Sequence, residues 1–282
     1  MSTYATDDRL CPSCERDTYT KLAAYSHPDW PVVRCTNCDF VYLRIAPNYE
    51  ALEEDLAWEK TAAKEAKRRK SFWLYRLDYA TRFRLKIGNA SDRRFIMQNV
   101  APGGRVLDIG CGGSNRIPEE MVPFGIEISK GLAQQSDPIF RRHGGYVVNA
   151  SAMDGLDRFE DNFFDRAILR SYLEHELKPR VILEKLHRKL KVGGTAVVKV
   201  PDFDCIGRHL MGRNWCGFRY PDHQNYFTHR TLAAMAAKAG LQCELKNVVR
   251  GLNDNLYAVL TKPAGQRRAP SMAAEQAAGP VA

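Results

Sequence analysis

Three groups of residues in this chain have the types and spacing of chemical sites. The first is Val106-Leu107-Asp108-Ile109-Gly110-Cys111-Gly112-Gly113, an apolar run with one acid that ends in glycines. It reads as a buried strand breaking into a tight turn, where residues without a Cβ let backbone N–H groups come close to a ligand. The second is Glu127, seventeen residues beyond Gly110, at the end of Phe124-Gly125-Ile126-Glu127. A carboxylate at that place can accept both hydroxyls of a ribose. Together the two describe a nucleoside-binding crevice at the carboxyl edge of a parallel sheet. The third group is Cys11, Cys14, Cys35 and Cys38, two C-x-x-C pairs separated by 20 residues. Four thiolates so spaced suit a tetrahedral structural Zn²⁺.

The elements that must position these groups are bounded by the bulk properties. At 282 residues the chain exceeds one typical domain of about 100–150. Hydrophobic residues make up 44% and charged residues 27%, ordinary values for a soluble globular protein. No apolar run approaches the roughly 18 residues that span a bilayer. The first 30 residues carry Asp7, Asp8, Glu15 and Asp17 and no apolar leader-like stretch, so a cytoplasmic location is the default expectation. In that setting paired C-x-x-C spacing argues for metal over disulfides. The other cysteines, Cys111, Cys205, Cys216 and Cys243, are scattered, as reduced and mostly buried cysteines tend to be. The net charge of +9 is concentrated in Lys60–Arg94, where twelve Lys/Arg face three acids. Such a block is either a solvated helix face or the mark of a nucleic-acid or membrane-surface partner.

Four segments follow. Residues 1–45 form a small module with no independent hydrophobic core, for which a zinc ribbon supplies the staple. Residues 46–100 form a basic helical segment; its helix over 49–87 carries Phe72, Tyr75, Tyr79 and Phe83 at helical spacing. Residues 101–263 alternate strands with helices. Strands are expected at 105–109, 123–127, 145–149, 164–169, 195–200, 241–248 and 254–261, and helices at 129–137, 178–190 and 229–239, the last capped by Thr228. This alternation predicts an α/β fold, a mainly parallel sheet with helices on both faces. The short link Gly251-Leu252-Asn253 requires the last two strands to pair antiparallel. Residues 264–282 read as a disordered tail.

Residues 101–263 resemble the class I S-adenosylmethionine-dependent methyltransferases, with their Rossmann-like sheet. Val106 to Gly112 resembles the family's first motif, and Glu127 the acid that holds the cofactor's ribose. Asn149-Ala150 stands where the family has an acid-Ala pair beside the adenine. Asp161-Asn162-Phe163-Phe164-Asp165, Leu173-Glu174-His175 and Leu190-Lys191-Val192-Gly193-Gly194 resemble three later motifs in order. The resemblance implies S-adenosyl-L-methionine as cofactor, held by Asp108, Gly110, Cys111, Gly112, Glu127, Asn149, Ala150 and Arg170. Three departures stand out: Ser114 replaces a third glycine, the segment from Gly110 to Glu127 is short, and Ser171 replaces the first acid of E-x-x-E-H. That motif holds Mg²⁺ in some relatives; without the carboxylate a hard cation loses a ligand, so no magnesium site is expected. A dinucleotide fingerprint would need glycine at 115, where Asn115 stands.

Methyl transfer to oxygen needs a base with a pKa near 7, and two histidines are candidates. His175 follows the fourth strand; His223 lies in the aromatic-rich stretch Arg213 to Phe227, after the fifth. That stretch resembles one found in methyltransferases associated with sugars and surface polysaccharides. The expected acceptor is therefore a small molecule: a sugar, polysaccharide precursor or natural-product intermediate, methylated on a hydroxyl or carbon. Two alternatives stay open: an RNA methyltransferase whose basic block tracks phosphates, and a non-catalytic zinc-ribbon binding protein with a relic crevice.

Overall fold

The computed structural model describes residues 6–48, 104–246 and 254–264. The helix expected at 49–87, the block Lys60–Arg94 and residues 265–282 of the expected tail lie outside the described residues.

The N-terminal part contributes five short strands: β1 (Thr6–Asp8), β2 (Tyr19–Lys21), β3 (Val32–Cys35), β4 (Val41–Leu43) and β5 (Ile45–Pro47). The α/β part follows as β6 (Arg105–Ile109), β7 (Val122–Glu127), α1 (Lys130–Arg142), β8 (Tyr146–Asn149), α2 (Ala152–Gly155), β9 (Phe164–Arg170) and α3 (Pro179–Lys189). It continues through β10 (Leu190–Pro201), α4 (Ile206–Met211), β11 (Asn225–Tyr226), α5 (His229–Lys238), β12 (Gln242–Leu245) and β13 (Asn255–Thr261).

Seven strands form one sheet in the order β12-β13-β10-β9-β6-β7-β8. Strands β6 to β10 run parallel, while β13 pairs antiparallel with both β10 and β12. The chain builds β6, β7 and β8 outward, then returns to place β9 on the other side of β6. That reversal opens a crevice beyond the carboxyl ends of β6 and β9, where ligands of open α/β sheets bind. Strand residues alternate between two cores, as a pleat dictates. Leu107, Ile109, Ala167, Leu169, Val198 and Ala258 pack with Leu183 and Leu186 of α3 and Leu232 and Met235 of α5. Val106, Ile168, Val197 and Val259 face the other way, toward Phe140 of α1. The α/β reading thus holds, with helices on both faces.

Two elements differ from their sequence expectation. Helix α1 runs past Pro138 to Arg142, although a proline removes a backbone donor and tends to end a helix. Asp137 offsets the loss by pairing with Arg141 and accepting from Val147 N at 2.9 Å. Strand β10 begins at Leu190, not 195, because Lys191-Val192-Gly193-Gly194 is absorbed as an irregularity in register between Leu190 and Thr195. Gly193 takes the positive φ of +76° there. Helix α5 starts as expected, with Thr228 capping Thr231 in a reciprocal box.

The N-terminal strands do not close on themselves. Their four-stranded sheet runs β11-β4-β3-β2, so its edge strand comes from residues 225–226 of the loop after β10. Trp30, Val32, Val41 and Leu43 share one buried cluster with Phe203, Trp215, Phe218 and Tyr226.

Candidate functional site

The glycine turn sits at the end of β6. Gly110 and Gly112 both have positive φ, +72° and +66°, which L side chains rarely adopt. A Cβ on Gly110 would meet the Tyr172 ring at 3.2 Å, whereas one on Gly112 would meet nothing within 4 Å. The turn is therefore closed by Tyr172 on one side and open over Gly112 on the other. Glu127, at the end of β7, accepts from Gly112 N at 2.8 Å and from Ser129 N at 2.9 Å. These bonds to two backbone N–H groups hold the carboxylate at the edge of the crevice. Asn149, at the end of β8, donates to the carbonyls of Glu127 and Ile128, and Ala150 N donates to Glu127 O. These bonds bind the ends of β7 and β8 together and fix the pose of Glu127.

Asp108 is 2% exposed, and its Oδ2 has no hydrogen-bond partner among the described residues. Burial pushes its carboxyl up to about 7, while Arg116 and Arg170 pull the other way. A buried acceptor without a donor is costly, and a cationic ammonium group would satisfy it. The Cys111 side chain does not face the crevice. It turns into the core beneath α1, where its Sγ lies 3.8 Å from Ser136 Oγ, so only its backbone is available to a ligand.

A second cluster beside the crevice is built from the turn after β9 and the loop after β10. Ser171, in the left-handed region at φ +51°, starts the turn. His175 Nδ1 bonds Asp222 Oδ1 at 2.8 Å and Asp222 O at 3.0 Å. Both partners only accept, so Nδ1 carries the proton and Nε2 is the free basic atom. Burial works against the charged imidazole, but the Asp222 carboxylate outweighs it and raises the pKa above the ordinary histidine value. Asp222 is in turn paired with Arg219. The His223 ring stands edge-on to His175, centroids 4.7 Å apart, and its Nδ1 donates to Gly217 O at 2.9 Å. Burial, followed by His175 and Arg219, drives the His223 pKa well below the ordinary value. Glu174, 1% exposed, completes the group, and its Oε2 has no partner among the described residues. Glu174, His175 and His223 each bring a ligand-type atom within 4.8 Å of the others.

The four N-terminal cysteines converge as their spacing predicts. Cys11 and Cys38 sulfurs lie 3.5 Å apart, as do those of Cys14 and Cys35, and all four lie within 4.8 Å of one another. A tetrahedron with Zn–S of about 2.3 Å separates sulfurs by about 3.8 Å. Backbone N–H groups of Ser13 and Cys14 face Cys11, and those of Asn37 and Cys38 face Cys35, which suits thiolates. The donor set fits a structural zinc ion.

A glycine turn after an acid-bearing β6, an acid at the end of β7 and an antiparallel last strand suit the class of S-adenosylmethionine-dependent methyltransferases. The chain belongs to the methyltransferase-domain family, whose model matches residues 76–246, more than half of its length. It is 31% identical over 142 residues to an uncharacterized protein of Methanocaldococcus jannaschii. That match spans 50% of this chain and 66% of the relative, just short of two-thirds. A chain in the complex of the Haloferax volcanii Trm112 methyltransferase activator with a methyltransferase is 16% identical, with a TM-score of 0.50. The likeness covers 66% of this chain and 94% of that one and is one of fold. A SAM-dependent methyltransferase from Thermotoga maritima is 20% identical, with a TM-score of 0.49, over 61% of this chain and 87% of its own. None of the described helices is long and apolar enough to cross a membrane.

Sequence reasoning missed Asp222, Tyr172 and Arg9. Asp222 was visible as the neighbour of His223, but its partner His175 lies 47 residues away. Tyr172 gave no periodic signal, and Arg9 stands alone among polar residues.

Proposed function

We propose that this protein transfers a methyl group from S-adenosyl-L-methionine to a hydroxyl or carbon of a small polar molecule, such as a sugar, a polysaccharide precursor or a natural-product intermediate. His175 is the base in this reading, and the single observation that carries it is the bond from His175 Nδ1 to Asp222. It holds one tautomer and one ring orientation, leaving Nε2 as the proton acceptor at the carboxyl edge of β9. His223, held neutral by burial, lines the same place without adding charge.

When bound, the cofactor would supply an electrophilic methyl on a positively charged sulfur, a leaving group able to keep the bond's electrons. Glu127 would hold the ribose, and Asp108, with Arg170 nearby, would accept from the ammonium of the methionine end. The backbone of Gly110, Cys111 and Gly112 lets the chain approach closely, and Asn149 and Ala150 border the adenine. For a hydroxyl acceptor, Nε2 of His175 takes the proton as the new O–CH₃ bond forms. Much of the rate comes from holding the reactants in line, and a positioned base adds about 10²–10⁴-fold.

The test has two stages. Calorimetry with S-adenosylmethionine should show one site per chain, and absence of uptake at millimolar donor would sink the enzyme reading. Release of S-adenosylhomocysteine is then followed across a panel of nucleotide sugars and natural-product hydroxyls. With an active acceptor, His175→Ala should lower kcat by about 10²-fold or more, and kcat/KM should fall as pH drops through the raised His175 pKa. Full turnover in His175→Ala would remove that residue from the chemistry. RNA binding that weakens steeply with salt, coupled to RNA methylation, would instead favour a nucleic-acid acceptor.

A further inference from the structure

The metal-binding module and the acceptor side meet at one buried cation. Arg9 lies two residues before Cys11 and is 7% exposed. Its Nη2 donates to Leu177 O at 2.9 Å and to Asn225 Oδ1 at 3.0 Å. Its Nη1 donates to Gln224 O at 3.2 Å and Leu43 O at 3.4 Å. Its guanidinium also lies over the Tyr42 ring, 5.8 Å from the centroid. One side chain thus reaches β4, β11 and the end of the turn after β9. Guanidinium suits this role because it presents five donors in a fixed plane and never loses its charge.

Asn225 carries the connection onward. It is 1% exposed, and its Nδ2 donates to Leu173 O at 2.8 Å and Glu176 O at 2.6 Å. Those two carbonyls bracket Glu174-His175. The backbone N–H groups of Gln224 and Asn225 both donate to Glu174 O, at 2.7 and 3.0 Å. The turn that bears His175 and the loop that bears Asp222 are therefore fastened to each other at Asn225, and Arg9 fastens both to the cysteine module. Further ties hold the first C-x-x-C turn itself: Lys238 Nζ donates to Ser13 O at 3.1 Å, and Arg180 pairs with Glu15.

We propose that Arg9 and Asn225 are a positioning pair that sets the His175 turn against Asp222, so that a folded metal-binding module is a condition for a correctly posed base. The inference rests on the reading of His175 as the base. Neither residue touches the reacting atoms. Loss of Arg9 removes the side-chain donor to Leu177 O, and loss of Asn225 removes the one to Glu176 O; either frees the turn to shift, and a shift of about 1 Å is enough to break an aligned hydrogen bond.

The test reads the imidazole directly and needs no acceptor. Full-length, zinc-loaded protein with ¹⁵N-labelled histidines is titrated by NMR, with the His175 resonance assigned through His175→Gln. The groups facing His175 are Asp222, Glu174, Arg219 and His223. In the parent protein His175 should titrate above the ordinary histidine value, with Nδ1 protonated in the neutral ring. In Asn225→Ala and Arg9→Met its titration should move down by at least half a pH unit, toward the ordinary value. Arg9→Lys should restore part of the shift, and the affinity for S-adenosylmethionine should stay within about twofold. Stripping zinc with a chelator should move the same resonance in the same direction. An unaltered His175 titration in a folded Asn225→Ala or Arg9→Met protein overturns the proposal. Where a deletion variant unfolds, Arg9→Lys and Asn225→Ser decide by the same readout. The base reading fails separately, if kcat in His175→Ala is unchanged while the titration still depends on Arg9.

Discussion

The two sides of the crevice are built on different plans. On the cofactor side the decisive bonds join residues 2, 15 and 22 positions apart, and most involve backbone atoms. On the side read as the acceptor's, His175 and Asp222 lie 47 residues apart, and the bonds that tie the loop to the cysteine module span most of the chain. Arg208 bonds Tyr25 Oη across 183 residues, Arg213 bonds Ala24 O across 189 and Arg9 bonds Asn225 across 216. A local cradle is formed as soon as its strands pair. A site assembled from distant segments exists only when every segment is in place. Cofactor binding should therefore survive damage to the acceptor side.

The strongest way to break this contrast is to remove the metal. Structural zinc contributes apparent free energies of about 10–16 kcal/mol in small zinc-bound peptides, so Cys35→Ser or chelation should unfold the cysteine module. The loop 202–228 should then become sensitive to proteases that cut at Arg208, Arg213 and Arg219, while calorimetry still detects S-adenosylmethionine. Loss of cofactor binding in step with loop cleavage would show that the two sides are one cooperative unit. A milder probe of the acceptor side is Trp215→Ala. The indole is fully buried and donates to Asp254 Oδ1 at 3.2 Å, so its loss should cost about 3–5 kcal/mol in denaturant unfolding and leave cofactor affinity within about threefold.

The cofactor side should answer in the opposite way. Glu127→Ala should weaken S-adenosylmethionine binding by about 100-fold, equivalent to about 2.7 kcal/mol. Only about 1–3 kcal/mol of stability should be lost, from the stranded N–H groups of Gly112 and Ser129. Asp108 sharpens the contrast through pH. Its folded pKa is raised, so the native state holds that proton more tightly than the unfolded chain, and ionising the group costs stability as pH climbs from about 4 toward 7. Asp108→Asn should therefore raise the Tm of the cofactor-free protein at pH 8, and the gain should shrink as pH falls and fade by about pH 4. In the parent protein, cofactor affinity should fall as pH drops below about 7, because the protonated acid no longer attracts an ammonium group. The smallest expected effect is at Thr228, where loss of the helix cap in Thr228→Ala should cost about 1 kcal/mol.

The same contrast explains what could be read from the sequence. The seven strands, the antiparallel end of the sheet, the glycine turn and the acid at Glu127 all follow from local signals: apolar runs, turn residues and fixed spacing. The four cysteines were equally legible, because two C-x-x-C pairs state their own geometry. Strand β11 was not, since two residues of Asn225-Tyr226 carry no strand signal until β4 lies beside them. Nor could the orientation of Cys111 be read. Its place in the glycine motif says nothing about the pull of the core beneath α1. Asp222 and Arg9 act through partners 47 and 216 residues away, a relation that no spacing rule encodes.

The borrowed strand has a consequence for synthesis on the ribosome. Leu43 leaves the exit tunnel roughly 180 residues before Asn225, a delay of roughly 10–35 s at about 5–20 residues per second. Throughout that interval the four cysteines of the nascent module are already available to a metal ion, yet its sheet has an open flank at β4. An open flank of Val41-Tyr42-Leu43 invites pairing with whatever extended segment passes by. Expression of the first 48 residues alone would make that interval permanent, and such a fragment should self-associate even when fully metallated.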